Sequence, residues 1–170
     1  MKKFTFLFVA LFTALTMSAT EVTVSIADYA AANGWENSTA YNSLTMDEVV
    51  TVTANPTTGT YNNTGKYYTN GNNWRMYQNE APAIVVTAAD GYKLTSVKFA
   101  YASEKTGVMV DAAGAHVATD EVYALDNVAT ATFSVSNTKS DVTNGQARIT
   151  AITVTYEAAA VEDPAEKPVV

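Results

Sequence analysis

The segment QARITAITVTYE, residues 146–157, alternates apolar and polar side chains along almost its whole length. Such alternation is typical of a β-strand with one face against a protein core and the other face in water. The apolar series is Ile149, Ile152, Val154 and Tyr156. The extra residue between Ile149 and Ile152 predicts a β-bulge at 150–151, because one inserted residue keeps the later apolar side chains on the same face.

Shorter segments of the same kind are spread along the rest of the chain. Runs rich in valine, isoleucine, threonine and tyrosine occupy 22–26, 49–53, 84–87, 93–102 and 129–136. Glycine, asparagine and aspartate separate these runs, as they do at turns between strands. Since no long helical segment lies between them, the pattern predicts an all-β fold, an antiparallel β-sandwich or jelly roll.

One segment near the start of the body departs from this alternation. Residues 27–34 are rich in alanine and end in Asn33-Gly34. Good helix formers followed by asparagine and glycine predict one short N-terminal helix. Trp35 follows directly, and we expect it to close one end of the sandwich.

Composition limits the chemistry that the chain can perform. The 170 residues suit one domain, and 48% of them are hydrophobic, which is ordinary for a globular protein. The absence of cysteine excludes disulfides, thiolate zinc sites and cysteine nucleophiles, and the single His116 excludes sites that need two imidazoles. The formal net charge of −7 disfavours nucleic acid as a partner, because such a surface repels phosphate.

The first residues have the organisation of a secretory signal peptide. A basic start at 1–3 precedes an apolar run at 4–17, and two small residues follow at 18–19. This order predicts a signal peptide at 1–19 and therefore an exported protein, in the periplasm, at the cell surface or in the medium. The run is shorter than the roughly 20 apolar residues of a membrane-spanning helix, although an uncleaved N-terminal anchor stays the alternative.

The remainder divides into a body and a tail. We predict a β-sandwich domain at 20–157 and a disordered acidic tail or linker at 158–170, where acidic residues and two prolines replace the alternating pattern. No later run is long and apolar enough to span a bilayer, so we expect no membrane span after cleavage.

The segment KYYTNGNNWRMYQ, residues 66–78, is unusually rich in aromatic and amide side chains. Its Asn70-Gly71 pair is a strong signal for a tight hairpin turn, because both residues tolerate a positive φ. The turn predicts a hairpin that pairs 66–69 with 73–78.

Alternation assigns the side chains of the second strand to two faces. It predicts Trp74, Met76 and Gln78 on one face, with Arg75 and Tyr77 on the other. Aromatic rings stack on the apolar face of a sugar ring, while asparagine and arginine hydrogen-bond its hydroxyls. The candidate ligand-contact residues are therefore Trp74, Tyr77, Tyr67, Tyr68, Arg75 and Asn72.

Each of these aromatic residues also has a purely structural interpretation. Trp74 beside Met76 suits a core, and Tyr67, Tyr68 and Tyr77 suit cross-strand pairs. Solvent exposure separates the two interpretations, since a ligand requires exposed rings on one face.

Several motifs together resemble a known kind of module. They are Gly34-Trp35, then Tyr67-Tyr68-x-Asn70-Gly71-x-x-Trp74-Arg75-x-Tyr77, then Gly91-Tyr92-Lys93-Leu94-x-Ser96-Val97-Lys98, and the closing stretch from Asn144 to Tyr156. This order resembles an uncharacterised β-sandwich domain of secreted and surface proteins from gut Gram-negative bacteria, over residues 21–157. The resemblance implies a jelly roll of the carbohydrate-binding-module type, a likeness of fold that does not by itself establish function.

The chain offers little for catalysis. The neighbouring carboxylates Asp47-Glu48 and Asp120-Glu121 point to opposite faces of an extended chain, which does not suit a glycosidase pair. His116 lies in a turn-like loop, and no Gly-x-Ser-x-Gly motif supplies a nucleophile. We therefore predict that the protein is not an enzyme.

We predict no cofactor, with a structural calcium ion as the open alternative. Calcium binds carboxylate and carbonyl oxygens of loops, and the available carboxylates are Asp111, Asp120, Glu121, Asp126 and Asp141. No segment matches an EF-hand loop, and the sequence singles out no set of ligands.

The sequence leaves two functions open. The first is a secreted, non-catalytic module that binds carbohydrate through the aromatic, asparagine-rich hairpin. The second is a surface adhesion or structural module whose partner is a protein or another copy of itself.

Overall fold

The computed structural model describes residues 18–55, 63–78, 82–102, 107–137 and 145–160. These residues form twelve β-strands and one α-helix. In chain order the elements are β1 (Thr20–Ser25), α1 (Ile26–Asn33), β2 (Ser43–Thr45), β3 (Val50–Ala54), β4 (Lys66–Tyr68), β5 (Asn73–Tyr77), β6 (Ile84–Ala88), β7 (Tyr92–Tyr101), β8 (Gly107–Val110), β9 (His116–Val117), β10 (Tyr123–Val128), β11 (Thr130–Asn137) and β12 (Gln146–Ala158).

The strands form two antiparallel sheets of six strands each. Sheet I has the order β10-β7-β12-β5-β4, and β1 also pairs with β12. The long central strand β12 has β7 along one edge, while β5 and β1 pair with successive parts of its other edge. Sheet II has the order β2-β3-β6-β11-β8-β9. The predicted all-β sandwich is therefore confirmed.

The inward side chains of both sheets form one hydrophobic core. Phe99 of β7 in sheet I meets Phe133 of β11 in sheet II, edge to face, with ring centroids 5.3 Å apart. Tyr101 also links the sheets, because its hydroxyl donates to the carbonyl of Val117 at 2.9 Å and accepts from the amide of Met109 at 3.1 Å. Buried hydroxyls need such partners, so these bonds tie the sheets at one place.

Two predictions from local sequence are confirmed in detail. The helix occupies Ile26–Asn33 and ends at Gly34, whose φ of 66° is the left-handed conformation that glycine adopts without a steric penalty. The register between β12 and β7 shifts between Ile149 and Ala151, which is the predicted bulge. The shift lets Ile149 and Ile152 both face the core.

Other predictions differ from the structure or lie outside it. His116 belongs to the short strand β9 and not to a loop, because its backbone pairs with Val110 of β8. β12 continues to Ala158, one residue beyond the expected end of the domain. Most of the predicted signal peptide and of the tail lies outside the described residues.

Candidate functional site

The predicted hairpin is formed by β4 and β5 at the edge of sheet I. Tyr67 pairs with Trp74, and Tyr68 pairs with Asn73. The left-handed residues of the connecting loop are Gly71, with a φ of 85°, and Asn72, with a φ of 43°. The left-handed pair thus lies one residue later than Asn70-Gly71, since asparagine at position 72 tolerates this conformation as well as asparagine at position 70.

The inner face of the hairpin belongs to the core. Trp74 and Met76 are 0% exposed and Tyr67 is 5% exposed. The indole Nε1 of Trp74 donates to the carbonyl oxygens of Gly65, at 2.7 Å, and Tyr41, at 3.1 Å. The interpretation of Trp74 and Tyr67 as ligand contacts is therefore corrected, because alternation turns both rings inward and no ring face is left for a ligand.

Gly65 fixes the position of the Trp74 indole. Its φ of +84° lies in the left-handed region, and a Cβ there would approach the carbonyl oxygen of Tyr41 to 3.0 Å and the Cβ of Ala54 to 3.1 Å. A side chain at this position would be strained by the backbone and crowded by its neighbours.

Trp35 joins this aromatic cluster through four ring contacts. Its ring stacks on Tyr41 with a centroid distance of 4.5 Å and an interplanar angle of 5°. It also makes tilted or edge contacts with Tyr29, Tyr67 and Trp74. Through these contacts the partly buried Trp35 packs against the hydrophobic core.

The outer face of the hairpin carries the remaining predicted aromatic residues. Tyr68, Arg75 and Tyr77 are all half-buried. The guanidinium carbon of Arg75 lies 3.6 Å from the ring centroid of Tyr68, a cation–π contact. The Nε of Arg75 donates to Oδ1 of Asn73 at 2.9 Å, which orients the guanidinium over the ring.

Tyr77 completes this outer group. Burial raises the pKa of Tyr77, interaction with the Tyr68 hydroxyl raises it further, and the nearby Arg75 guanidinium opposes both effects. The pKa of Tyr77 thus responds both to the Tyr68 phenol and to the Arg75 guanidinium of the same face. Tyr77 stays a neutral phenol at neutral pH, able to donate and to accept a hydrogen bond.

Asn72 lies in the loop beside this face and is exposed. Its Oδ1 accepts a hydrogen bond from the buried Tyr67 hydroxyl at 2.9 Å. The side-chain oxygen of Asn72 thus stabilises the hairpin, and its side-chain amide nitrogen, Nδ2, is the group that can donate a hydrogen bond to a ligand.

Three residues that the sequence analysis did not select extend the outer face. Lys66 pairs with Arg75, and Arg75 pairs with Arg148 of β12. Gln146 lies opposite Tyr77 in the same sheet. Residues paired across antiparallel strands share a face, so these side chains form one surface with the hairpin. Alternation in β12 could have indicated that Arg148 faces outward, because its neighbours Ala147 and Ile149 are apolar and buried.

We call this surface the outer patch and define it by six residues. They are Lys66, Tyr68, Arg75, Tyr77, Gln146 and Arg148.

Two of the carboxylates considered for calcium, Asp111 and Glu121, accept hydrogen bonds within the protein. Oδ1 of Asp111 accepts from the amides of Ala113 and Ala115 at 2.9 and 2.8 Å, and its Oδ2 accepts from the Tyr123 hydroxyl. The Tyr123 hydroxyl, more than any other group, holds the pKa of Asp111 below its usual value. No three side chains that could hold a metal ion come together among the described residues, and Asp141 lies outside them.

Asp47 likewise has a structural role. Its Oδ1 accepts from the amides of Val49 and Val50 at 2.8 and 2.7 Å, and its Oδ2 accepts from the Tyr156 hydroxyl at 2.9 Å. Burial raises the pKa of Asp47, but these three hydrogen bonds outweigh it and hold the pKa below its usual value. The bond to Tyr156 ties the turn between β2 and β3 to sheet I.

A second surface feature lies between β10 and β11, where the two sheets meet. It is a groove of about 290 Å³, and its lining includes Tyr123, Leu125, Val128 and Phe133. Val122, just before β10, is 64% exposed. This region is mainly apolar, in contrast to the outer patch.

In the described part of the chain, no helix is long and apolar enough to cross a membrane. Comparison of the chain with protein-family models, with curated proteins and with solved structures gave no match.

Proposed function

We propose that the protein is an exported, non-catalytic binding module that recognises carbohydrate through the outer patch. The single observation that carries this proposal is the grouping of Tyr68, Tyr77 and Arg75 on one outward face, with the Arg75 guanidinium over the Tyr68 ring. Ligand sites for sugars combine aromatic surface with a few fixed polar groups, and this face offers both.

The polar groups of the patch are held in place before a ligand arrives. Asn73 holds the Nε of Arg75, and Gln146 holds the Nε of Arg148 at 3.1 Å through its Oε1. Side chains that are already ordered lose less conformational entropy on binding, which favours affinity for a flexible polar ligand.

The non-catalytic part of the proposal rests on how the acidic side chains are used. Asp47 and Asp111 are occupied by hydrogen bonds within the protein, and the outer patch contains no carboxylate. General acid and base catalysis of glycoside hydrolysis needs two carboxyl groups that flank the sugar.

Export and the kind of module are inferred from the sequence. The signal-peptide pattern at 1–19 supports export, and the resemblance to secreted β-sandwich domains of gut Gram-negative bacteria supports a binding module.

A glycan array tests the proposal directly. The purified protein should bind at least one glycan, and a Tyr68→Ala, Tyr77→Ala variant should lose that binding while its circular dichroism spectrum is unchanged. Tyr92→Ala is the matched control, because Tyr92 is also a half-buried tyrosine of sheet I but lies at the far end of β12, opposite Ala158. Well-folded wild-type protein that binds no glycan would overturn the proposal.

A second function, adhesion to a protein or to another copy of the chain, is favoured by a different observation. The exposed Val122 beside the apolar groove of β10 and β11 is a surface of the kind that protein interfaces bury. Sedimentation analysis of wild type and of a Val122→Asp variant tests self-association, and concentration-independent monomers would oppose this form of it.

A further inference from the structure

The basic residues that the structure describes all lie on one surface. Among the described residues there are five lysines and arginines, and each lies on the outward face of sheet I. They are Lys66, Arg75, Lys93, Lys98 and Arg148.

The assignment of these residues to one face follows from the register. Lys98 pairs with Thr153 and Lys93 pairs with Glu157, on the opposite side of β12 from the core residue Val154. The same alternation, carried back across the bulge, places Arg148 on that face. Arg148 in turn pairs with Arg75, as described above.

The acidic residues have a different distribution. The described residues contain eleven aspartates and glutamates, which outnumber the five cations and give this part of the chain a net negative charge. None of the eleven lies in β4 or β5 or in the part of β12 that pairs with β5. Among the described residues, the outer patch is therefore a positive region on an otherwise acidic surface, and such a region attracts anions.

Three of the cations stand side by side. Lys66, Arg75 and Arg148 occupy one row across β4, β5 and β12. Directly opposed residues of an antiparallel pair have Cβ atoms about 4.5–5.5 Å apart, and like charges at this distance destabilise a sheet. The row is thus unfavourable for the unbound protein, and a negatively charged group placed over it would relieve the repulsion.

Among the described residues, the hydrogen-bond partners of this row are neutral side chains. Lys66 donates to Oδ1 of Asn63 at 2.7 Å, while Arg75 and Arg148 donate through Nε to Asn73 and Gln146. No carboxylate of the described residues forms an ion pair with the three cations. An external carboxylate or sulfate over this row would meet guanidinium groups that no described carboxylate neutralises, and guanidinium groups bind such planar or tetrahedral anions with charge-assisted hydrogen bonds.

We propose that the ligand of the outer patch is an acidic carbohydrate, one that carries a carboxylate or a sulfate on the sugar ring. The row of Lys66, Arg75 and Arg148 binds the anionic group, and the neighbouring Tyr68 and Tyr77 contact the ring. This inference rests on the proposed carbohydrate-binding function and narrows its ligand class.

The test compares polymers that differ only in charge. Affinity of the purified protein is measured for polygalacturonate against its fully methyl-esterified form, and for dextran sulfate against dextran, with polyglutamate as a polyanion without sugar. We expect binding to at least one charged polymer and none to its neutral counterpart. Raising the salt concentration should weaken that binding, because exposed charges are screened.

Two variants locate the binding on the surface. Arg148→Gln should lower affinity by roughly tenfold or more, since a hydrogen bond between charged groups contributes about 1.5–3 kcal/mol. Lys93→Gln is the matched control, because it removes the same charge from the same face roughly 30 Å along β12, opposite Glu157. Its affinity should equal that of the wild type.

The outcomes separate this inference from the proposed function. Equal affinity for a charged polymer and its neutral counterpart would overturn the acidic ligand and leave the carbohydrate-binding proposal standing. If polyglutamate bound as tightly as the charged polysaccharide, or if Lys93→Gln lost as much affinity as Arg148→Gln, binding would depend on net charge alone. Either result would overturn the acidic-sugar site. No binding to any polymer, in agreement with an empty glycan array, would overturn both proposals.

Discussion

The two faces of the β4–β5 hairpin use similar residues for opposite purposes. On the inner face Tyr67 and Trp74 are buried, and the indole nitrogen is hydrogen-bonded to backbone carbonyls. On the outer face Tyr68 and Tyr77 are half-buried and gather around Arg75. Aromatic richness alone therefore does not identify a ligand site, because the period of two in a strand divides the aromatic residues between the core and the surface.

The largest difference between the faces should appear in stability. Trp74→Ala should destabilise the protein by about 3–5 kcal/mol, the usual effect of removing a buried tryptophan. Tyr77→Ala should cost about 1 kcal/mol or less, because the side chain is half-buried at the surface. Chemical denaturation of both variants measures this contrast, and equal losses would contradict the assignment of the two faces.

The inner face should also be sensitive to its backbone support. Gly65→Ala should destabilise the protein by about 1–2 kcal/mol, because alanine is strained at a φ of +84° and its Cβ crowds the Tyr41 carbonyl. Gly114→Ala is the matched control, since Gly114 also has a positive φ, of +83°, but an added Cβ there would have no neighbour within 4 Å. If thermal melts showed the same loss of stability for both variants, crowding of the added Cβ at position 65 would not be the cause.

The hydrogen bond between the inward tyrosine Tyr156 and Asp47 should make the stability of the protein depend on pH in the acid range. The outer patch, which contains no carboxylate, should not contribute to this dependence. Because the folded pKa of Asp47 lies below its usual value, this carboxylate stabilises the protein at neutral pH, and the contribution is lost as the pH falls below about 4. Asp47→Asn should lower stability by about 0.5–1 kcal/mol at pH 7, since solvent screens part of the interaction, and by less at pH 3. Chemical denaturation of wild type and variant at both pH values measures this loss of stability. A loss at pH 3 as large as at pH 7 would contradict stabilisation by the ionised Asp47 carboxylate.

A comparably small effect is expected from the contact between Arg75 and Tyr68. A double-mutant cycle with Arg75→Gln and Tyr68→Leu should give a coupling energy of about 0.5–1 kcal/mol in stability, typical of an exposed cation–π pair. A coupling near zero would mean that the two side chains are not held together before a ligand binds.

Local sequence predicted the parts of the fold that depend on alternation. It assigned Trp74 and Met76 to one face and Arg75 and Tyr77 to the other, which the burial of these residues confirms. It also predicted the bulge after Ile149. The faces of β5 and the bulge in β12 could both be predicted because each depends on the alternation within a single strand.

Features that depend on pairing between distant segments were not predicted. The row of Lys66, Arg75 and Arg148 exists only because β12 lies beside β5, and no local pattern encodes that register.

Two strands were not predicted for local reasons. β8 was missed because all four of its residues are buried, so it shows no alternation. β10 was missed because Asn127, with a φ of 47°, interrupts it.

The location of the ligand site is tested by mapping where an acidic sugar binds. Backbone amide resonances of the isotope-labelled protein would be followed by NMR during titration with trigalacturonate. We predict shifts concentrated in β4, in β5 and at 146–149 of β12, with little change in β3, β6 and β11 of sheet II. Shifts centred on the groove between β10 and β11, or no shifts at all, would contradict the assignment of the outer patch as the ligand site.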